Sequence, residues 1–372
     1  MKSEYPSSQG HLGYHELSLV LTITISARLF LGLPRVMSTI GATASWMAVT
    51  IAFITAVAGF FCLDSLLVRF PGSDLIEIAK EVFGDFSFVV GVLLFLFFWA
   101  AGALLMRQFA EIFVISILPR TPIGVISGVL LIILIAASYF GIECISRLAM
   151  LFGPYICLCF LLVLLLVLPN ADFSHLLPFW GSGLTRMTLP SLNKSSIFTE
   201  IVLLGLWAPL LREPKRRRFI GLAALSISYL IMVISLLIFT AVFDYPGTAK
   251  IFFPIYQLTR MINLMAFFQR VEAIFVFVWV FTAAISLATI FYSSAFILAR
   301  TFSLTTHRPL LFPLAVMTYA LSLLPGSITE TIGLDNDLLH NYGWILAFFL
   351  PLLMLITAVM RRRKGVIGIE NP

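Results

Sequence analysis

Charge is what this chain has least of. Of its 372 residues only 11% are Asp, Glu, Lys or Arg, far below the quarter that a water-soluble surface requires. A soluble globular domain is thereby excluded. Histidine is scarce as well: His11, His15, His175, His307 and His340 fall in expected termini and loops, which supports neither a proton relay nor a metal site. The four cysteines, Cys62, Cys144, Cys157 and Cys159, lie in or beside apolar runs without paired metal-ligand spacing, where cysteine acts as a small hydrophobe. No disulfide, metal or cofactor is expected. A glycine-rich phosphate loop, a Ser-His-Asp arrangement with defined context and paired carboxylates in a cleft are missing too, which argues against an enzyme. The stretch Met1 to His15 is polar and lacks the apolar core of a signal peptide. The first span is therefore expected to direct insertion itself, leaving nearly the whole chain in the mature protein.

What is present is hydrophobic sequence: 60% of residues are hydrophobic and the mean hydropathy is +1.04. These values describe an integral membrane protein. The net charge of +6 does not point to nucleic acid, because the basic residues sit in short loops, where they set orientation. A span needs about 20 apolar residues, and ten are expected, at 15–38, 43–68, 86–117, 122–141, 148–168, 196–211, 218–243, 268–299, 309–325 and 341–360. Two stretches, Phe86 to Leu118 and Phe268 to Arg300, exceed the bilayer thickness and imply tilt or extension into solvent. Each is the third of a group of five. The expectation is an all-α membrane domain over 15–360, built from repeats at about 15–168 and 196–360. With an odd number of spans, the repeats are inverted. The richest basic clusters, Arg212 with Lys215 to Arg218 and Arg361 to Lys364, place both tails, 1–14 and 361–372, in the cytoplasm. Pro71 to Asp85 carries Leu75, Ile76, Ala79 and Val82 at helical spacing, as in an amphipathic helix lying at that face. The long loop Asn170 to Ser195 either closes over the outer mouth or is a passive linker.

The first span organises the rest, because it carries a charge and a Gly-x-Pro. Arg28 lies beside Ala27 and Leu29, and Gly32-Leu33-Pro34 follows. Proline removes a backbone donor and clashes with the preceding turn, while glycine tolerates unwinding, so the helix should break here. In lipid, a broken backbone is tolerable only where it lines a protein-enclosed cavity. The sixth span repeats the pattern with Gly205 and Pro209, and paired interrupted spans point to a central transporter-type site.

Ionisable residues inside a membrane cost about 2.5–3.5 kcal/mol each on insertion scales, so each needs a partner or an aqueous cavity. Arg28 favours a cavity-facing role over snorkelling. There it would meet a ligand carboxylate, a neighbouring acidic group or carbonyls freed by the break. Arg107 and Glu111 stand four apart on one helical face and read as a structural ion pair rather than ligand contacts. Arg270 and Glu272 face different ways and would bind other segments, as packing or interfacial anchors. Glu200 either faces a cavity or caps a helix start.

In their order and spacing, several pieces resemble one known family. They are Leu33-Pro34-Arg35, the run from Arg107 through Ala110-Glu111 to Arg120-Thr121-Pro122-Ile123, the basic run after the sixth span, and Arg270-Val271-Glu272 followed by Trp279. The sequence resembles the endospore germination permeases, the B subunits of nutrient germinant receptors, a branch of the amino acid, polyamine and organocation transporter superfamily. The resemblance runs from about Tyr14 to Lys364. It implies a LeuT-like fold of ten helices in a 5+5 inverted repeat with helices 1 and 6 interrupted. It further implies residence in the spore inner membrane, partnership with an A subunit and a lipoprotein C subunit, and sensing of a small nutrient. By position, the ligand-binding residues would be Ala27, Arg28, Leu29, Gly32, Phe97, Ala101, Leu203, Leu204, Gly205, Ser286 and Thr289. Pro34, Arg107, Glu111, Glu200, Pro209, Arg270, Glu272 and Trp279 would be structural or coupling residues. The family often has small glycine-rich residues where this chain has Ala27-Arg28-Leu29, so a bulky cation here fills part of the usual pocket or changes what it accepts. Three functions stay open: a ligand-sensing receptor subunit, a secondary transporter of amino acids or polyamines, and a channel-like subunit.

Overall fold

In lipid every backbone N–H needs an internal partner, and the long apolar runs satisfy this as helices. The computed structural model describes residues 12–262 and 272–363. The first segment is α1 (Tyr14–Ser26), a 3₁₀ turn at Ala27–Phe30, and α2 (Leu33–Gly41). Glu16 accepts a bond from the Gly13 amide at 3.0 Å and so secures the start of α1. Pro34 sits in the first turn of α2, where a missing donor leaves no bond unmade. The break falls where the sequence places it.

The chain continues through α3 (Ser45–Arg69), α4 (Leu75–Phe83), α5 (Ser87–Ser116), α6 (Ile123–Phe140) and α7 (Ile142–Val167). Helix α4 is the expected amphipathic helix. Asp74 caps it by accepting from the Ile76 and Glu77 amides, both at 2.9 Å, and it buries Leu75, Ile76, Ile78, Ala79 and Val82. The connection after α7 contains α8 (Leu184–Asn193) and is seated on the α2–α3 junction. Thr43 donates to the Pro178 carbonyl at 2.6 Å and Ser182 donates to the Ile40 carbonyl at 2.7 Å.

The second interrupted segment is a nine-residue 3₁₀ stretch, Lys194–Val202, followed by α9 (Leu203–Trp207) and a turn at Ala208–Leu210 that contains Pro209. This corrects one expectation. Gly205 is expected at the break, but it lies inside the short regular α9, between the long 3₁₀ stretch before it and the Pro209 turn after it. Runs of 3₁₀ helix beyond three or four residues are uncommon and mark hinges or strain. Then come α10 (Arg217–Phe243), α11 (Pro254–Arg260), α12 (Glu272–Thr301), α13 (Leu311–Leu323), α14 (Ile328–Leu334) and α15 (Leu350–Met360). Two π stretches, Asp335–His340 and Ile345–Phe349, join α14 to α15. The last segment thus runs from 328 to 360, not from 341 as the sequence suggests.

Among the described residues, seven stretches are long and apolar enough to cross a membrane: 33–69, 75–116, 123–140, 142–170, 214–243, 276–301 and 328–360. Helix α1 with its break and the 194–210 segment fall outside that set because their regular helices are short. In α12, 72% of the most apolar stretch is buried, against 28% in α6. Helix α12 is therefore a central post, packed on α1, α5, α6 and α7, and α6 lies at the rim.

Ion pairs and side-chain bonds to carbonyls tie one end of the bundle. Arg300 pairs with Asp74 and with Glu77, the latter at 2.7 Å. Arg217 pairs with Asp64 at 2.9 Å, and Arg361 donates to the Val82 carbonyl at 2.8 Å. Near the start of α1, Leu12 and Leu211 form a parallel bridge, which joins the beginning of the first broken segment to the end of the second.

Candidate functional site

Where the first break meets the second, a cluster of buried charges spans three elements. Arg28, in the turn after α1, directs Nη2 to Glu200 Oε1 at 2.7 Å and Nε to the same oxygen at 3.1 Å. Its Nη1 lies 3.6 Å from Asp335 Oδ1. Glu200 comes from the 3₁₀ stretch of the second broken segment and Asp335 from the π stretch after α14. Both partners of the closest pair are buried, with side chains 6% and 2% exposed. Of the roles open to Arg28, pairing with neighbouring acidic groups is the one observed, and Glu200 faces inward rather than capping a helix start. Among the described residues Glu200 Oε2 has no hydrogen-bond partner.

His340 completes the cluster, contrary to its expected place in a loop. Its Nε2 lies 3.0 Å from Arg28 Nη1 and 3.2 Å from Asp335 Oδ2. One ring nitrogen cannot serve both: a lone pair accepts from the guanidinium, whereas a proton donates to the carboxylate. From α5, Gln108 Nε2 donates to Asp335 Oδ2 at 3.2 Å. Ser196 Oγ donates to the His340 carbonyl at 2.5 Å, fastening the two irregular stretches backbone to side chain.

The chamber beside this cluster has about 20 Å³ of free space, enough for about one water molecule. Of the expected lining residues only Arg28 and Gly32 border it. Ala27 and Leu29 are buried in the same turn, and Ala101 in α5, without bordering the chamber. Phe97 packs on Gly343, where an added Cβ would lie 2.9 Å from the ring, so it sits close to the site but outside the chamber. Leu203 and Leu204 are buried in α9. Gly205 faces away from the first segment, since a Cβ there would meet Leu63 at 3.2 Å and Leu75 at 3.6 Å. Its smallness serves contact with α3 and α4. Ser286 and Thr289 lie buried in α12 with hydroxyls donating to their own helix, to Ala283 at 3.2 Å and Ile285 at 2.7 Å.

Arg107 and Glu111 form the expected intrahelical pair at 2.7 Å, and Arg107 also reaches the Ser322 carbonyl at 3.4 Å. Trp279 is buried against Phe109 and Phe113, with ring centroids 5.9 and 4.3 Å away. Arg270 and the side chain of Glu272 lie outside the described residues.

Sequence reasoning missed Gln108, Lys194, Asp335, Asn336 and His340. The polar run Asp335-Asn336-Asp337 looks like a loop by composition. A signal was present: Ser327 followed three residues later by Glu330 is a helix-start signature, and Ser327 does accept from the Glu330 amide at 3.3 Å. A helix starting there carries Asp335 and His340 inward, because an i→i+5 turn sets residues five apart near one another.

Comparisons with known proteins agree over nearly the whole chain. A family model described as spore germination protein matches residues 12–331. Spore germination protein KB of Bacillus subtilis (strain 168) is 23% identical over 327 residues, covering 86% of this chain and 88% of that protein. Spore germination protein A2 of the same organism is 24% identical over 365 residues, covering 94% and 96%. Among solved structures, MhsT in complex with L-phenylalanine superposes with a TM-score of 0.63 at 14% identity, over 94% of this chain and 89% of that one. At that identity the likeness establishes the fold, a LeuT-type transporter fold, and nothing further.

Proposed function

The chain belongs to the spore germination protein family, and on that premise we propose that it is the nutrient-sensing B subunit of a germinant receptor. Family and fold together point to a receptor-like or transporter-like integral membrane protein rather than an enzyme. The finer reading is that a small nutrient, in the first instance an amino acid, binds between the interrupted first and sixth helices of a ten-helix 5+5 bundle. Binding there signals to an A subunit and a lipoprotein C subunit in the spore inner membrane, with both tails of this chain cytoplasmic.

One observation carries the reading. Arg28, Glu200 and Asp335 join three separate elements at the two breaks through ionic contacts of 2.7 and 3.6 Å, and the chamber beside them has room for about one water. A nutrient is larger, so its entry requires these elements to part. A ligand carboxylate then pairs with Arg28 in place of Glu200, or a ligand ammonium pairs with Asp335 in place of Arg28. Either pairing gives the ligand differential affinity for the parted arrangement, which is what shifts a conformational equilibrium.

The test is germination of spores lacking this gene, with redundant receptors removed, against a panel of amino acids, sugars and nucleosides. Loss of response to one nutrient class, restored by the intact gene but not by Arg28→Met at matched membrane levels, supports the reading. Undiminished germination with every nutrient overturns it. The fold favours a second reading, secondary active transport of an amino acid or polyamine by alternating access. Concentrative uptake by proteoliposomes supports that alternative, and no uptake across the panel removes it.

A further inference from the structure

Outside the chamber lies a groove of about 280 Å³ between the end of α2, α8 and the π stretch after α14. Val36, Lys194 and Asn336 border both the groove and the chamber, so one is the antechamber of the other. At their boundary stands Lys194, 5% exposed. Its Nζ donates to Asn336 Oδ1 at 2.5 Å and to Asn341 Oδ1 at 2.8 Å. Among the described residues no carboxylate lies within ion-pair distance of it. The buried arginines described each have one: Arg28 has Glu200 and Arg107 has Glu111.

Two neutral amide oxygens are weak compensation for a desolvated ammonium. Its nearest carboxylates, Asp337 and Asp335, act on it only from beyond contact distance, and an under-compensated buried charge in a membrane protein marks a functional site. An ammonium offers three N–H donors, and the two amides take two of them. The structure assigns Lys194 as the docking group for the carboxylate of a small solute held in the outer groove before it reaches the chamber. The groove's other polar groups, Thr39 and Asn193, are neutral, so Lys194 supplies its positive charge. The inference deepens the receptor reading and rests on it for the identity of the solute, but the docking chemistry is testable alone.

The full chain in lipid nanodiscs would be followed by thermal unfolding, with propionate, L-alanine and L-serine each compared with its amide, and with chloride as a control anion. Carboxylates are expected to raise the unfolding temperature in a saturable way, and the amides and chloride are not. Lys194→Met should abolish the carboxylate effect and Lys194→Arg should retain it. Should the methionine variant fail to fold, Asn341→Asp provides the second arm. It puts a carboxylate on the ammonium in cis, and should raise the basal unfolding temperature and weaken the carboxylate effect at least tenfold. Equal effects of acid and amide for every pair, an equal effect of chloride, or a carboxylate effect that survives in Asn341→Asp overturns the assignment. The two readings fail separately. Germination lost on deletion without carboxylate preference removes only this inference, whereas carboxylate preference with germination intact removes only the receptor reading.

Discussion

Arg28 and Arg107 are both buried arginines paired to glutamate at 2.7 Å, yet they belong to different kinds of structure. Glu111 is four residues from Arg107 on the same helix, and the pair travels with α5 as one body. Glu200 is 172 residues from Arg28, and Asp335 is on a third element, so no relative movement of the two breaks leaves this cluster intact. An ion pair within a helix balances charge. One between irregular segments also reports on where those segments are.

The sharpest test of the contrast is removal of each arginine. Arg28→Met leaves Glu200 and Asp335 buried without their shared cation, and breaking a buried pair in this way is destabilising by about 3–5 kcal/mol. A large drop in unfolding temperature is expected, together with loss of response even in protein rescued by low temperature. Arg107→Met combined with Glu111→Leu removes both partners at once. Replacing a whole buried pair by apolar side chains is often neutral or stabilising, so near-normal stability and response are expected. A dead double variant would erase the distinction between the two sites.

A double-mutant cycle between Arg28→Met and Glu200→Gln measures the bridge itself. Contacting charged residues couple by about 0.5–3 kcal/mol, whereas Arg28 with Glu111, which share no contact described here, should be additive within about 0.5 kcal/mol. Gly205 extends the comparison to the other end of the same broken segment. An alanine Cβ meets Leu63 at 3.2 Å, a contact that a flexible leucine terminus absorbs. A leucine overpacks the contact with α3 and α4, at a cost of about 1–3 kcal/mol. Graded loss of stability from glycine to alanine to leucine is expected, and equal tolerance of both would remove Gly205 from that interface.

How much of this was legible in the sequence follows from the range of each interaction. The first break was readable because its cause is local: Gly32 and Pro34 act on their own backbone. The Arg107–Glu111 pair was readable for the same reason, since helical spacing alone brings the two together. Helix α4 showed itself by the helical spacing of Leu75, Ile76, Ala79 and Val82. Arg28 was recognisable as cavity-facing, but its partners were not, because contacts across 172 residues leave no mark in composition. The second break is legible only at its Pro209 end, for a related reason. Glycine and proline point to Gly205 and Pro209; Pro209 does lie in the 3₁₀ turn that ends α9, but the longer irregular run is Lys194–Val202, a stretch with neither residue. Tertiary contacts such as Ser196 to the His340 carbonyl hold that stretch.

His307 is a third kind of buried polar site, without a counter-charge, and it predicts the smallest effect. Its Nε2 is 3.2 Å from the Ser138 carbonyl. A carbonyl only accepts, so Nε2 carries the proton, and Nδ1 has no partner among the described residues. Burial pushes this imidazole below its ordinary pKa. The bond to Ser138 opposes that shift, and the adjacent Arg308 adds to it. Protonation would place a second N–H where nothing accepts it. Between the folded and the ordinary value the unfolded chain binds more protons than the native one, so stability rises with pH there. The contribution is complete above the ordinary histidine value and is lost as pH falls below it. His307→Phe keeps the edge contact with Tyr292, whose ring centroid is 4.9 Å away, and cannot titrate. The variant should be somewhat less stable at pH 7.5 and should lose less of its unfolding temperature between pH 7.5 and 5.5 than the wild type. Equal acid sensitivity in the two proteins would show that this histidine titrates alike in the folded and unfolded chains. Acid sensitivity would then have to be sought among the bridged charges of the central cluster.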